Sequence, residues 1–229
     1  MSPRTDDGPP LRVLVVTAVP PERDAVVNGL NAAPAWLVTE VLAAGVGPAA
    51  AAAGTATALA LAPEPHDLVI AAGIGGGFAP AAGVGGTVVA SSIVAADLGA
   101  QTSDGFLDVA ELGFGVAAHE PPEGLARAVA TATGAALGPV LTVSTVTGTA
   151  ERAAELAKRH PGAAAEAMEG FGVATAAAPA GVPVLEIRCV SNAVGPRDRA
   201  AWRIPAALRA LTDAFAALPP VLDTWRDRG

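Results

Sequence analysis

Short apolar runs recur along the chain, and the segments between most of them have helical spacing or turn residues. "RVLVVTAV", "WLVTEVLAAGVG", "HDLVIAAGIGGGFAP", "VGGTVVASSIVAAD", "GPVLTVSTVTG" and "VPVLEIRCVSNAVG" are rich in Val and Ile and nearly free of alternating polar positions. Such runs predict strands buried on both faces. Between them, helices are predicted from Glu22 to Leu30, from Pro48 to Leu61, and from Pro122 to about Thr133. "TAERAAELAKRH" is a further helix with Thr149 as its cap, although its acidic residue comes too early for a strict capping box. A closing helix carries Ile204, Leu208, Leu211, Phe215 and Leu218 on one face. Leu98 to Gly115 lacks clear periodicity and is expected to be a loop-rich stretch near a functional site.

Strands alternating with helices define an α/β fold: one domain over residues 11–229, three α/β/α layers with a central twisted mixed sheet. Residues 1–10, "MSPRTDDGPP", are polar and are expected to be disordered. No repeat and no change of composition divides the chain.

Charge narrows the function classes. A net charge of -8 with no basic stripe excludes a nucleic-acid binder. "LRVLVVTAVPP" is too short to span a membrane and lacks a signal-peptide cleavage pattern, so a cytoplasmic protein is expected. Cys189 is the only cysteine, and His66, His119 and His160 have no ligand spacing, so neither a metal nor a cofactor is expected.

Four positions near strand ends carry candidate chemistry: Glu22, the glycines from Gly73 to Gly77, Met168–Glu169 and Ser191–Asn192. Strand ends of an α/β sheet share one crevice, so these groups can converge. "GIGGGF" lacks the spacing of a dinucleotide fingerprint, and no phosphate-binding loop motif occurs. It is either a tight turn at positive φ or a place where a ligand approaches bare backbone. Glu169 either favours a helix N-terminus or accepts two hydrogen bonds from a vicinal diol. Glu22 carries the same pair of alternatives. Asn192 either makes an Asx turn or pairs with a lactam edge, since an amide both donates and accepts.

In order, "VVTAVPPERDAV", "AAGVGPAAAA", "AAGIGGGFAP", "EAMEGFGVA" and "IRCVSNAVGPRD" resemble the nucleoside phosphorylases and nucleosidases across residues 11–218. The resemblance implies a nucleoside phosphorylase-like fold and cleavage of the N-glycosidic bond of a purine nucleoside derivative. It implies Glu22 as the group that activates water, with Asn192 at the leaving base. Met168 would pack under the ribose and Glu169 would bind its hydroxyls. Gly47, Gly75, Gly76 and Gly77 would form loops beside sugar and base. A homo-oligomer without cofactor is implied, with packing at Phe106 and Phe114 or a core role for both rings.

The departures from the family pattern are informative. Adenine-cleaving nucleosidases place Asp where this chain has Asn192, and Asn instead fits a 6-oxopurine such as hypoxanthine. Ile74 stands where Ser is common, and Val146 lies where an aromatic often stacks on the base. The hydrolytic branch that acts on a 6-oxopurine takes a substrate with a carboxylate beyond its sugar. Arg197, Arg199 and Arg203, or the Thr102–Asp108 segment, could meet that end; surface ion pairing is the competing role of the arginines. Arg23 keeps phosphorolysis open. The rival readings are an adenosine-type nucleosidase, a purine nucleoside phosphorylase, and a non-catalytic nucleoside-binding protein.

Overall fold

The computed structural model describes residues 9–226. The expected disorder of residues 1–10 falls largely outside them; residues 9 and 10 precede the first strand without regular structure. The ten strands are β1 (Leu11–Thr17), β2 (Leu37–Ala43), β3 (Leu68–Gly77), β4 (Thr87–Ala95), β5 (Gly99–Thr102), β6 (Gly105–Asp108), β7 (Ala118–His119), β8 (Ala136–Thr142), β9 (Ala165–Ala167) and β10 (Val184–Ala193). The helices are α1 (Pro20–Gly29), α2 (Pro48–Leu61), α3 (Glu123–Thr133), α4 (Ala150–Arg159), α5 (Gly170–Ala177), α6 (Ile204–Ala216) and α7 (Leu218–Arg226).

The main sheet runs β10-β4-β8-β9-β3-β1-β2, with β7 on β4. It is mixed, because β3 pairs parallel with β1 and β10 but antiparallel with β9. β10 also pairs antiparallel with β4. Five strands therefore close into a ring, from which β1 and β2 extend. Ring closure brings β9 and β10 to opposite sides of β3, and this positions the site.

The central strands are largely apolar because both of their faces are covered. Along β1, Leu11, Val13 and Val15 enter one core with Val26, Leu125, Leu211 and Phe215. The intervening Leu14 and Val16 enter a second core with Val140, Phe171 and Val173. Successive strand side chains point to opposite faces, so one run feeds both layers. A smaller cluster of Phe78, Leu141, Val143 and Leu156 packs under α4. Burying each such aliphatic or aromatic side chain stabilises the fold by about 1.5–3 kcal/mol.

The structure corrects four expectations. The glycines from Gly73 to Gly77 lie within β3, not in a loop, and none of them has positive φ. Leu98–Gly115 contains the hairpin β5–β6 followed by turns. β9, three residues long, is too short to carry a period and was not expected. The closing helix breaks into α6 and α7 at Ala217, because Pro219 and Pro220 cannot donate to the preceding turn.

Candidate active site

β1 ends at Thr17, and the chain enters α1 through Pro20 and Pro21. Pro suits this first turn, where its missing N–H would have no helical partner. Glu22 then sits at the third helical position and is buried. Its Oε2 accepts from Ala18 N–H at 3.0 Å and from Val19 N–H at 3.2 Å. The Val19 bond is the reciprocal half of a capping box. Oε1 accepts from Ile74 N–H at 2.9 Å, which ties the helix start to β3. The capping role of Glu22 and its place in the cavity therefore coexist.

Gly73 makes room for this carboxylate. A Cβ there would lie 2.6 Å from Glu22 Oε1 and 2.8 Å from Arg188 Nη1. Elsewhere in β3 the vacant positions are also filled by protein. A Cβ on Gly75 would meet Glu166 O at 2.7 Å, and one on Gly76 would meet Val194 Cγ2 at 2.8 Å. Gly75 and Gly76 line the cavity, whereas Gly77 does not. Gly77 packs against Val190 and Ala82. Close packing across the strands accounts for these glycines, and the positive-φ turn does not.

Glu169 is the residue before α5, yet its carboxylate makes no hydrogen bond to the N–H groups of that helix. It turns instead to Gly47 N–H (3.3 Å), Met168 N–H (3.3 Å) and Arg188 Nη1 (3.1 Å). Gly47, at φ +93, is in a conformation that favours glycine, which lets its N–H face Glu169. Met168 lines the same cavity.

Arg188 was not anticipated. It is 1% exposed, and its Nε donates to Glu186 Oε1 at 2.8 Å. Burial alone would loosen its proton, but Glu186, Glu169 and Glu22 together more than offset that and hold it more tightly than usual. Burial pushes the Glu186 carboxyl up, with Arg188 opposing. The signal was in "LEIRCV", where two charges two residues apart share one face of an otherwise apolar strand.

Asn192 accepts from Ser191 Oγ at 2.8 Å through Oδ1 and donates from Nδ2 to Ala193 O at 3.0 Å. The oxygen is thus bonded to a side chain, not to the backbone two residues on as an Asx turn requires. One Nδ2 hydrogen and one Oδ1 lone pair remain for a ligand. Glu166, which also lines the cavity, accepts from Thr147 N–H (2.8 Å) and from the Thr147 hydroxyl (2.5 Å). Burial raises its pKa, and these bonds partly offset the rise.

Glu22, Glu169 and Asn192, which reach the site from three separate junctions, line one cavity of about 360 Å³. Glu166, Val146 and Trp202 line it as well. Arg197 is at its wall, whereas Arg199, Arg203 and the Thr102–Asp108 segment are not. Among the described residues, Arg197, Arg199 and Arg203 form no ion pair. Arg197 and Arg199 instead approach the Trp202 ring, at 5.4 and 5.8 Å from its centre. Arg23 is bound to Asp24 on the surface.

The fold is that of a nucleoside-cleaving class. The sequence model of the phosphorylase superfamily matches residues 17–218, and the chain belongs to that superfamily. Within it, the chain is 62% identical over 232 residues to the futalosine hydrolase of Streptomyces coelicolor, covering 94% of this chain and 98% of that one. It is 50% identical to the futalosine hydrolase of Acidothermus cellulolyticus, covering 90% and 89%. Among solved structures, a 5'-methylthioadenosine/S-adenosylhomocysteine nucleosidase from Colwellia psychrerythraea in complex with adenine shares the fold, with a TM-score of 0.76 at 22% identity over 93% of this chain and 95% of that one.

Proposed function

We propose that this chain is a futalosine hydrolase, which splits the N-glycosidic bond of futalosine with water and releases hypoxanthine and dehypoxanthinyl futalosine in menaquinone biosynthesis. The observation that carries this reading is the convergence of Glu22, Glu169 and Asn192 on one cavity. The 62% identity to the Streptomyces coelicolor enzyme supports the substrate.

Breaking the bond builds positive charge on the sugar and negative charge on the purine. Glu22, fixed by three backbone donors, takes a proton from water below the anomeric carbon and opposes the sugar's charge. Glu169 accepts from the ribose hydroxyls, and Met168 packs beneath the ring. The free Asn192 hydrogen meets the departing base, in a bond that strengthens as charge develops there. One such donor is worth about 3–4 kcal/mol at the transition state. Gly47 holds Glu169 through its N–H, while Gly75 and Gly76 supply bare backbone at the cavity wall.

Charge supports water over phosphate as the nucleophile. Three carboxylates, Glu22, Glu166 and Glu169, line the cavity, and Arg197 is the one basic residue among its described lining. A phosphate dianion would be repelled from the floor. Arg197 and the Trp202 ring suit the benzoate end of futalosine.

The same reading takes the protein as a cytoplasmic homo-oligomer. No helix among the described residues is long and apolar enough to cross a membrane. Phe114 is 80% exposed, and Val116, two residues on, is exposed as well, which is apolar area suited to a subunit face. Phe106 lies instead under Arg159, 4.2 Å from its ring centre.

The test is turnover of futalosine, methylthioadenosine and inosine, each with and without phosphate. Phosphate-independent cleavage of futalosine is expected. Turnover of inosine alone, and only with phosphate, would contradict the reading.

A further inference from the structure

Glu186 is fully buried, does not line the cavity, and has no part in the chemistry above. Its place follows from strand register. Glu186 and Arg188, two apart on β10, point to one face of the sheet. Their partners on β3 are Ala71 and Gly73, so two small residues leave room beside two long charged ones. A Cβ on Gly170, the first residue of α5, would fall onto the Glu186 carboxylate. The helix can cover this acid only because that position is bare. Glu186 Oε1 accepts from Arg188 Nε at 2.8 Å, while Nη1 of the same guanidinium donates to Glu169 Oε2 at 3.1 Å.

A third carboxylate competes for that cation. Glu22 is near enough for its charge to help hold the Arg188 proton, yet among the described residues the two form no ion pair. Glu22 Oε1 and Arg188 Nη1 both border the space over Gly73, at 2.6 and 2.8 Å from a Cβ placed there. Gly73 itself puts no side chain between them. We infer that Glu186 is a positioning residue for the proposed reaction: its bond to Nε keeps the guanidinium on Glu169 and off Glu22. The inference rests on the proposed cleavage of a riboside by these two carboxylates. A guanidinium is planar with its donors in fixed directions, so a bond at Nε sets where Nη1 points. Held there, Nη1 fixes the carboxylate that accepts from the ribose hydroxyls. Glu22 meanwhile is bonded by the backbone N–H groups of Ala18, Val19 and Ile74 and by no cation. An arginine bonded to it would weaken it as a base, because a close opposite charge favours the ionised form.

Two measurements on Glu186→Gln test this, since the amide keeps the size of the side chain and removes its charge. In a crystal structure of the variant, Arg188 Nη1 should lie within hydrogen-bond distance of Glu22, about 3 Å. A guanidinium still bonded to Glu169 alone would overturn the inference. In kinetics, kcat/KM for futalosine should fall by about tenfold or more. The fall should be smaller for 2′-deoxyfutalosine, which offers Glu169 one hydroxyl fewer. A purely structural role would lower both rates by the same factor, and that result would also overturn the inference. Failure of the unaltered protein to cleave futalosine would instead reject the functional reading, and the crystal structure would still decide where Glu186 holds the guanidinium. If Glu186→Gln does not fold, Glu186→Asp, a carboxylate one methylene shorter, is read by the same two measurements.

Discussion

Arg188 Nη1 lies 3.1 Å from Glu169 Oε2, and the two side chains are 1% and 7% exposed. This ion pair joins the middle of β10 to the residue before α5, beneath the cavity floor. Glu186 holds the same guanidinium from the other side, and a position freed by Gly73 lets Glu22 approach it. One cation thus pairs with two buried carboxylates and feels the charge of a third.

Removing that cation is expected to be costly. Arg188→Met leaves Glu186 and Glu169 buried without their partner, a loss of about 3–5 kcal/mol of unfolding free energy. Adding Glu186→Gln to it should recover part of the loss, because one stranded charge is removed. Urea denaturation of both variants measures this; additive destabilisation would show that the groups are not coupled.

Glu22→Gln keeps a side chain that can fill the same space. Turnover of futalosine should fall by at least about 100-fold with substrate binding still measurable. Single-turnover kinetics separates the two quantities. An unchanged rate would remove Glu22 from the role of base.

Gly73→Ala adds one methyl group at a buried position of β3. Its Cβ would press on Glu22 Oε1 and Arg188 Nη1, at 2.6 and 2.8 Å. Turnover should drop by about tenfold or more through misplacement of Glu22, since small displacements of catalytic groups are expensive. Far-UV circular dichroism and kcat of the same sample check that the fold survives and the rate does not.

Burial raises the pKa of the Cys189 thiol to about 11, with Thr87 opposing. The group therefore stays a thiol at neutral pH. Its reaction with a chromogenic disulfide should be slow in the native protein and fast after denaturation. Rapid labelling of native protein would show that β10 opens readily.

Much of this was legible in the sequence. Continuous Val- and Ile-rich runs placed six strands, because a strand covered on both faces has no polar period to hide. Glu22, Glu169 and Asn192 stood out as polar residues where apolar runs end. The three-residue β9 left no trace, since its pairing depends on ring closure between distant strands. For the same reason the pairing of Glu166 with Gly76, and with it the place of Glu166 at the cavity, was not legible. The glycines of β3 looked like a turn because local sequence does not show what fills a missing side chain. Arg188 is a case of tertiary context overriding the rule that charges stay outside.

The most direct test is hydrolysis of futalosine by the purified protein in H2(18)O without phosphate, followed by mass spectrometry of both products. One heavy oxygen on the anomeric carbon of the sugar product and none in the released hypoxanthine is the predicted result. Intact futalosine, or cleavage that appears only when phosphate is added, would contradict the account.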